Sequence, residues 1–400
     1  MKQILQDLRN GDINVADVPV PSVGPGHVLI RTRMSLVSPG TERMLLEFGK
    51  AGWINKARQQ PERVQQVLRK MKTDGLRPTL TAVRNRLDRP VALGYSNVGT
   101  VVETGNGVSR LRVGDRVLSN GSHAEYVCVH ENLCAPVPAD VDDRTAAFGV
   151  LGAIALQGIR LAKPELGEIF VVQGLGVIGL LAVQILLANG CRVIGLDFDS
   201  KKTALVKDFG GEAFSLDDDI DPVQLAADYS DGNGVDGVLI CASTRSNEPL
   251  RQAPRMCRKR GRLILIGVVG LNLERSDFYE KEISFQVSCS YGPGRYDPQY
   301  EEKGLDYPIG FVRWTVQRNF EAVLQLMTMG RIKTEALVSS TVQISQAKHI
   351  YDSLSKKDGL GYLIGYPADD RTSGKVVTLR QKRPVSERPV VSFIGAGAFS

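Results

Sequence analysis

The sequence has no CxxC pair, no long apolar run and no cluster of histidines. Its six cysteines (Cys128, Cys134, Cys191, Cys241, Cys257 and Cys289) lie far apart, which excludes a disulfide framework and fits a reducing compartment. The longest apolar stretch, Val177 to Ala188, is too short to cross a bilayer and is interrupted by Gln184. The opening residues MKQILQDLRNGD lack the apolar centre of a signal peptide. A cytoplasmic location with no membrane partner is the expectation. The four histidines, His27, His123, His130 and His349, show no metal-ligand spacing. Extended disorder is also excluded, because 42% hydrophobic and 24% charged residues are globular values. A chain of 400 residues suffices for two domains and the start of a third.

What is present changes character along the chain. Residues 1–50 alternate short apolar runs with Pro and Gly, the pattern of strands and turns. Residues 51–86 place Val64, Val67, Leu68 and Met71 at helical spacing among basic and amide residues. Residues 91–138 return to strands. From about Arg144, helices alternate with buried β-rich runs (EIFVVQG, RVIGLDF, GVLICAS, GRLILIGV), which predicts an α/β fold with a parallel sheet covered on both faces. The run AAFGVLGAIALQGIRLA reads as one helix, and another is expected around Val312–Met329. Residues 369–389 are polar, charged and without period, and read as a linker.

The strongest motif is VVQGLGVIG at residues 171–179, a β-branched strand running into GxGxxG and then a helix. Gly174 allows the tight turn, Gly176 the close approach of a pyrophosphate, and Gly179 the packing of helix on strand. The flanking residues Leu175, Val177 and Ile178 bring backbone N–H groups to a helix N-terminus suited to phosphates. The next strand ends in Asp197, at the spacing where a carboxylate binds the adenosine ribose and repels a 2′-phosphate. NAD is therefore the expected cofactor. Lys201 and Lys202 soften the preference and leave NADP open. Lys202, Ser243 and Val268 complete the expected cofactor contacts.

These parts occur in an order that resembles the medium-chain dehydrogenase/reductase superfamily. The carriers are GYSNVGTVVETGNGVSRLRVGDRV, AEYVCVHENLCAPVP, the helix AAFGVLGAIALQGIR and then GLGVIGL. The resemblance covers about residues 1–366. It implies a GroES-like β-rich catalytic domain (1–151, with a basic helical insert at 50–90), a Rossmann domain (152–289) and a return to the catalytic domain (290–367). SLVSPGTER and SYGPGRYDPQYEEKGLDYP are more narrowly similar to two-domain oxidoreductases of bacterial polysaccharide gene clusters. Those carry a second Rossmann domain of glucose–fructose-oxidoreductase type, and VVSFIGAGAFS at 390–400 reads as its truncated start after the 368–389 linker. The SxGTER turn also resembles zinc-free bacteriochlorophyllide dehydrogenases.

Against the zinc pattern of alcohol dehydrogenases, the matching positions here are Ser38, Tyr95-Ser96 and about Gly149, and the four-cysteine lobe is missing. No catalytic or structural zinc is expected. Side chains must then handle the oxyanion and the proton. Tyr95, or the pair Ser38 and Thr41, are the candidates, with Glu42 as a further acid or base and helix capping as the competing role for all three turn residues. Arg295 is a candidate clamp for a carboxylate or phosphate, and Tyr291 and Tyr296 suit stacking on a sugar face. The basic stretch between Lys50 and Arg89 is opposed only by Glu62, Asp74 and Asp88. It is either a lid attracting an anionic small-molecule substrate or a solvated helix pair. Nucleic acid is not an expected partner, since stacking aromatics are nearly absent there.

The expected function is zinc-independent hydride transfer between NAD(H) and a CH–OH/C=O group, with the sugar substrate implied by the resemblance alone. The alternatives are an NADPH-type enoyl or quinone reductase and a nucleotide-binding scaffold without chemistry. The superfamily resemblance also implies a homodimer.

Overall fold

Phe170, Val171 and Val172 are wholly inaccessible within the strand Ile169–Gln173. A strand buried on both faces needs parallel neighbours and helices above and below it. In the computed structural model, which describes residues 1–8, 10–50, 90–217, 220–354 and 359–367, it has them. Counting along the chain this strand is β9. Its sheet runs β11-β10-β9-β12-β13-β14, with β10 at Arg192–Asp197, β11 at Glu212–Ser215, β12 at Val235–Ile240, β13 at Cys257–Leu265 and β14 at Ser284–Val287. Every pairing in it is parallel. The winding reverses between β9 and β12, so a crevice opens beyond their carboxyl ends. The glycine fingerprint sits there.

The second sheet is built on β3 (His27–Val37), whose residues 28–30 and 35–37 are buried. Its order is β15-β16-β3-β5-β6-β8, with β7 also paired to β3. The members are β5 Asn97–Thr104, β6 Arg116–Ser119, β7 Tyr126–His130, β8 Cys134–Pro136, β15 Val338–Gln343 and β16 Gly361–Gly365. A smaller sheet, β2-β1-β4, joins Ile13–Asp17, Lys2–Gln6 and Val91–Ala92. Strands β1–β8 fall within residues 1–50 and 91–138, where strands were expected, and β15 and β16 join them from 338–365.

Helix α1 is Pro39–Lys50. The run expected as one helix is divided into α2 (Asp143–Ala146) and α3 (Gly149–Ala162). The Asp142 side chain caps α2 by accepting from Thr145 N at 2.7 Å, a local start signal that the apolar run concealed. Glycines let α3 lie close to both halves. A Cβ at Gly149 would meet Leu118 of β6 at 2.4 Å, one at Gly152 Val323 at 2.6 Å, and one at Gly158 Ile266 at 2.3 Å. One apolar core consequently runs from Leu36, Val98 and Leu118 through α3 to Val172 and Leu180. Each buried aliphatic side chain in it contributes about 1.5–3 kcal/mol, so the halves share their stability. The later helix is Val316–Thr328, four residues shorter at its start than expected.

The basic insert from 51 to 89, the linker at 368–389 and the Rossmann-like start at 390–400 lie outside the described residues. Among the described residues no helix is long and apolar enough to cross a membrane.

Candidate dinucleotide cleft

The three fingerprint glycines are required for three different reasons. Gly174 has φ +89°, and a Cβ there would lie 2.6 Å from the backbone of Ala242. Gly179 sits on the first turn of α4 (Val177–Ala188), where a Cβ would meet Gly174 O at 2.0 Å. A Cβ on Gly176 would meet nothing within 4 Å, because that position faces open space. The open space is a cleft of about 670 Å³ lined by Gly174, Gly176, Val177, Ile178 and Gly179 on one wall and by Ser38, Pro39, Gly40 and Thr41 on the other. The first turns of α1 and α4 both open onto it, each presenting unpaired backbone N–H groups.

Asp197 lines the cleft at the end of β10. Its Oδ2 accepts from Leu175 N at 2.7 Å and its Oδ1 from Asp199 N at 3.0 Å. The carboxylate is thus fixed by the turn it reads. Lys202, also in the wall, lies 3.5 Å from Asp197 and 3.6 Å from Asp199. Its charge is shared between two carboxylates and is not free for a third anion. Ser243 and Val268 form an isolated bridge across the ends of β12 and β13, and both line the cleft. Leu175 departs from expectation. It is wholly buried, it is not a lining residue, and its N–H is committed to Asp197.

Behind the facing wall, the Tyr95 hydroxyl donates to Thr41 Oγ1 at 3.0 Å; Tyr95 itself packs against the core and, contrary to expectation, does not line the cleft. Burial is the main cause pushing the Tyr95 phenol up to about 12. Ser38 is buried at the cleft edge, where its backbone N–H donates to Glu42 Oε1 at 3.2 Å. Glu42 is wholly inaccessible and does not face the cleft. Its carboxylate also accepts from the Tyr351 hydroxyl at 2.7 Å and meets His123 Nε2 at 3.2 Å. The His123 ring continues to Ser35 Oγ at 2.8 Å, and Ser35 to the Tyr366 hydroxyl at 2.8 Å. This buried polar chain anchors the Ser38 turn to the body of the β-rich half.

Arg295 is the main correction among the site residues. Its Nη1 donates to Glu301 Oε1 at 2.5 Å, its guanidinium stacks 4.1 Å from the Tyr296 ring, and it does not line the cleft. An anion would have to compete with Glu301 for it. Tyr291 is 3% exposed, too buried to stack on a sugar, whereas Tyr296 is 67% exposed.

Phe198 and Gln173 are among the lining residues that the sequence reading did not single out. Phe198 directly follows Asp197 and is 64% exposed in the wall. A large aromatic in an otherwise charged turn was the available signal. Gln173 ends β9 facing the cleft with its Oε1 buried and without a protein partner. The Glu42–His123 pair spans 81 positions and left no sequence signal.

A β-rich half packed on a six-stranded parallel sheet, with a glycine-fingerprint cleft between them, is the architecture of a medium-chain dehydrogenase. Residues 64–139 match the alcohol dehydrogenase GroES-like domain, and residues 177–303 the zinc-binding dehydrogenase family. A sorbitol dehydrogenase of Halalkalibacterium halodurans is 30% identical over 247 residues, 52% of this chain and 71% of that one. The fold is similar to 2R,3R-butanediol dehydrogenase from Bacillus subtilis, with TM-score 0.69, 20% identity and coverage of 91% and 99% of the two chains. It is also similar to an alcohol dehydrogenase of Escherichia coli CFT073 complexed with NADH, with TM-score 0.67, 17% identity and coverage of 91% and 99%. The chain belongs to the medium-chain, zinc-type alcohol dehydrogenase family and is an oxidoreductase.

Proposed function

We propose that this enzyme transfers a hydride between NAD(H) and the CH–OH/C=O group of a sugar or sugar derivative, and that it does so without zinc. The observation that carries the reading is one cleft with a dinucleotide fingerprint on one wall and the hydroxyls of Ser38 and Thr41 on the other. Gly174, Gly176, Val177, Ile178 and Gly179 would hold the pyrophosphate, Asp197 the adenosine ribose, and Ser243 and Val268 the far side. When bound, the nicotinamide supplies or accepts the hydride. Asp197 would repel a 2′-phosphate, and Lys202 is already held between Asp197 and Asp199, which favours NAD over NADP.

The donor set argues against a catalytic zinc. Ser38 and Tyr95 offer neutral hydroxyls, and the Tyr95 hydroxyl is engaged by Thr41. The Ser96 hydroxyl donates to Ala147 O at 2.6 Å, and Gly149 has no side chain. Zinc requires thiolate, imidazole or carboxylate donors, and among the described residues no three Cys, His, Asp or Glu side chains converge. Ser38 and Thr41 would therefore bind and orient the substrate oxygen, with Tyr95 behind them positioning the Thr41 hydroxyl. The domain limits 1–151, 152–289 and 290–367 belong to the same reading. The similarity to a sorbitol dehydrogenase supports a polyol-type substrate.

The test combines three measurements on the purified protein: fluorescence titration with NADH and NADPH, turnover with polyols and ketoses, and metal analysis. Tighter NADH binding, turnover of a polyol–ketose pair and substoichiometric zinc are expected. Equal affinity for the two cofactors, or activity that requires one zinc per chain, overturns the corresponding part.

A further inference from the structure

Gln173 is the last residue of β9, at the carboxyl edge of the parallel sheet, and is 4% exposed. It lines the cleft, and its buried Oε1 has no hydrogen-bond partner among the described residues. Burial strips water from such an acceptor, so folded proteins pair nearly all of them. The same carboxamide carries two donor hydrogens on Nε2. Gln173 thus brings an acceptor and a donor to the cleft side by side.

The strand register decides which part of the cleft they face. Gln173 lies between Leu196 of β10 and Ile240 of β12, and side chains along a strand alternate between the two faces of a sheet. Val171, Leu196 and Ile240 belong to the apolar core on one face. Val172 and the α4 residues Leu180 and Val183 belong to the core on the other face, which Leu36 and Leu118 of the β-rich half also join. Gln173, two residues after Val171, points to the first face, away from α4 and away from the β-rich half. On that face the cleft is bounded by Pro222, at the start of the helix Pro222–Tyr229, and by Pro249, in the first turn of the helix Glu248–Met256. Leu196, Leu216 and the exposed Phe198 complete an apolar slot. A second carboxamide nearby, Gln252, is already engaged, since its Nε2 donates to Glu248 Oε1 at 3.0 Å.

We infer that Gln173 reads the adenine base of the dinucleotide, its Oε1 accepting from the 6-amino group while its Nε2 donates to N7. The inference rests on the cofactor reading above, in which Asp197 takes the adenosine ribose and the start of α4 the pyrophosphate. Gln173 is paired with Leu196, the residue before Asp197, on the face opposite α4. Past the ribose, on the side away from the pyrophosphate, the next part of the cofactor is the base. A flat heterocycle suits an apolar slot. Glutamine is one of the two side chains that match the N6–N7 edge of adenine with a pair of hydrogen bonds. Gln173 would then select the base, a task separate from hydride transfer and from the 2′-phosphate discrimination of Asp197.

Equilibrium binding tests this as a two-by-two cycle. Wild type and Gln173→Leu are each titrated by fluorescence with NADH and with reduced nicotinamide hypoxanthine dinucleotide. The analogue replaces the 6-amino group by a carbonyl oxygen, which puts two acceptors on the edge that Gln173 faces. Wild type is expected to bind NADH about tenfold or more tightly than the analogue, and Gln173→Leu to lower that preference below about threefold. Gln173→Met, which keeps the side-chain length, is the second variant. Without cofactor both variants should melt at or above the wild-type temperature, because each removes a buried acceptor that lacks a partner. Equal wild-type affinity for the two dinucleotides overturns the inference, and so does a preference that survives in both variants. Equal weakening of both ligands would assign Gln173 to the ribose and overturn the base reading. If the wild type prefers NADPH, the cofactor preference fails, and the same comparison with NADPH and its hypoxanthine analogue still decides the role of Gln173. Binding of no dinucleotide overturns both.

Discussion

Asp197 and Glu42 are both carboxylates bonded to backbone N–H groups, and their surroundings give them opposite uses. Asp197 is anchored by Leu175 and Asp199 yet borders the cleft. Asp197→Ala is expected to weaken NADH binding about tenfold or more, the scale of a lost hydrogen bond to a charged group, and to narrow the gap between NADH and NADPH. Fluorescence titration checks both effects. Glu42 is sealed in, and its removal strands the Tyr351 hydroxyl, the His123 ring and the Ser38 N–H. Leaving such buried donors unpaired costs on the order of 2–4 kcal/mol in total. Glu42→Ala should therefore lower the denaturation midpoint markedly, whereas Glu42→Gln, which keeps acceptor oxygen at the site, should lower it less. Equal midpoints for both variants and the wild type would show that the buried chain contributes nothing.

Along the β9–α4 element, neighbouring glycines make separable predictions. Gly174→Ala puts a Cβ at a positive φ against the Ala242 backbone, so it should cost at least about 2 kcal/mol of stability. Gly176→Ala places its Cβ in open cleft. It should leave the melting temperature unchanged while weakening NADH binding, because on the proposed reading that space takes the pyrophosphate. Calorimetry with and without NADH separates the two outcomes. This element was legible in the sequence because strand, turn and helix are contiguous and each glycine answers to a local steric need. What escaped depended on contacts between segments. Arg295 looked free because nothing in GPGRYDP reveals that the chain turns back to bring Glu301 beside it. The Ser38 turn was open to a proton-handling or a capping role, and the sequence did not reveal that Glu42 holds the Ser38 N–H and is itself held by His123 from another strand connection. The division of α2 from α3 was hidden by an apolar run that masks the cap at Asp142.

At the scale of the whole molecule, several buried phenols make stability depend on alkaline pH. Burial is the leading cause that pushes the Tyr95 phenol up to about 12, and it raises Tyr351 and Tyr366 well above the usual value. In the unfolded chain the same groups ionise near pH 10. Above that pH the unfolded state has lost protons that the folded state retains, so the tyrosine contribution to stability falls as pH rises from 10 toward the folded values and is complete below it. The slope is up to about 1.4 kcal/mol per pH unit for each tyrosine. Burial also pushes up the Cys134, Cys241 and Cys257 thiols. Urea unfolding between pH 8 and 11.5 should therefore show a decline that begins near the free thiol value of about 8.5–9. It should steepen above pH 10, and Tyr95→Phe should make the upper part shallower. A decline beginning well below about pH 8.5 would assign the effect to other groups.

The pairing of β16 with the end of β3, Tyr362 opposite Val37, also sets a timetable. Every strand of the parallel sheet comes from one unbroken stretch, Ile169 to Val287, whereas the strand leading to Ser38 acquires this neighbour only from the far end of the chain. During synthesis from the N-terminus, the nucleotide-type half can close on itself while the half that supplies Ser38 and Thr41 still waits for its last strand. In pulse-labelled refolding, amides of β9 through β13 should gain protection before those at the β3–β16 seam. The enzyme would then acquire its two cleft walls in sequence, the fingerprint wall before the hydroxyl wall.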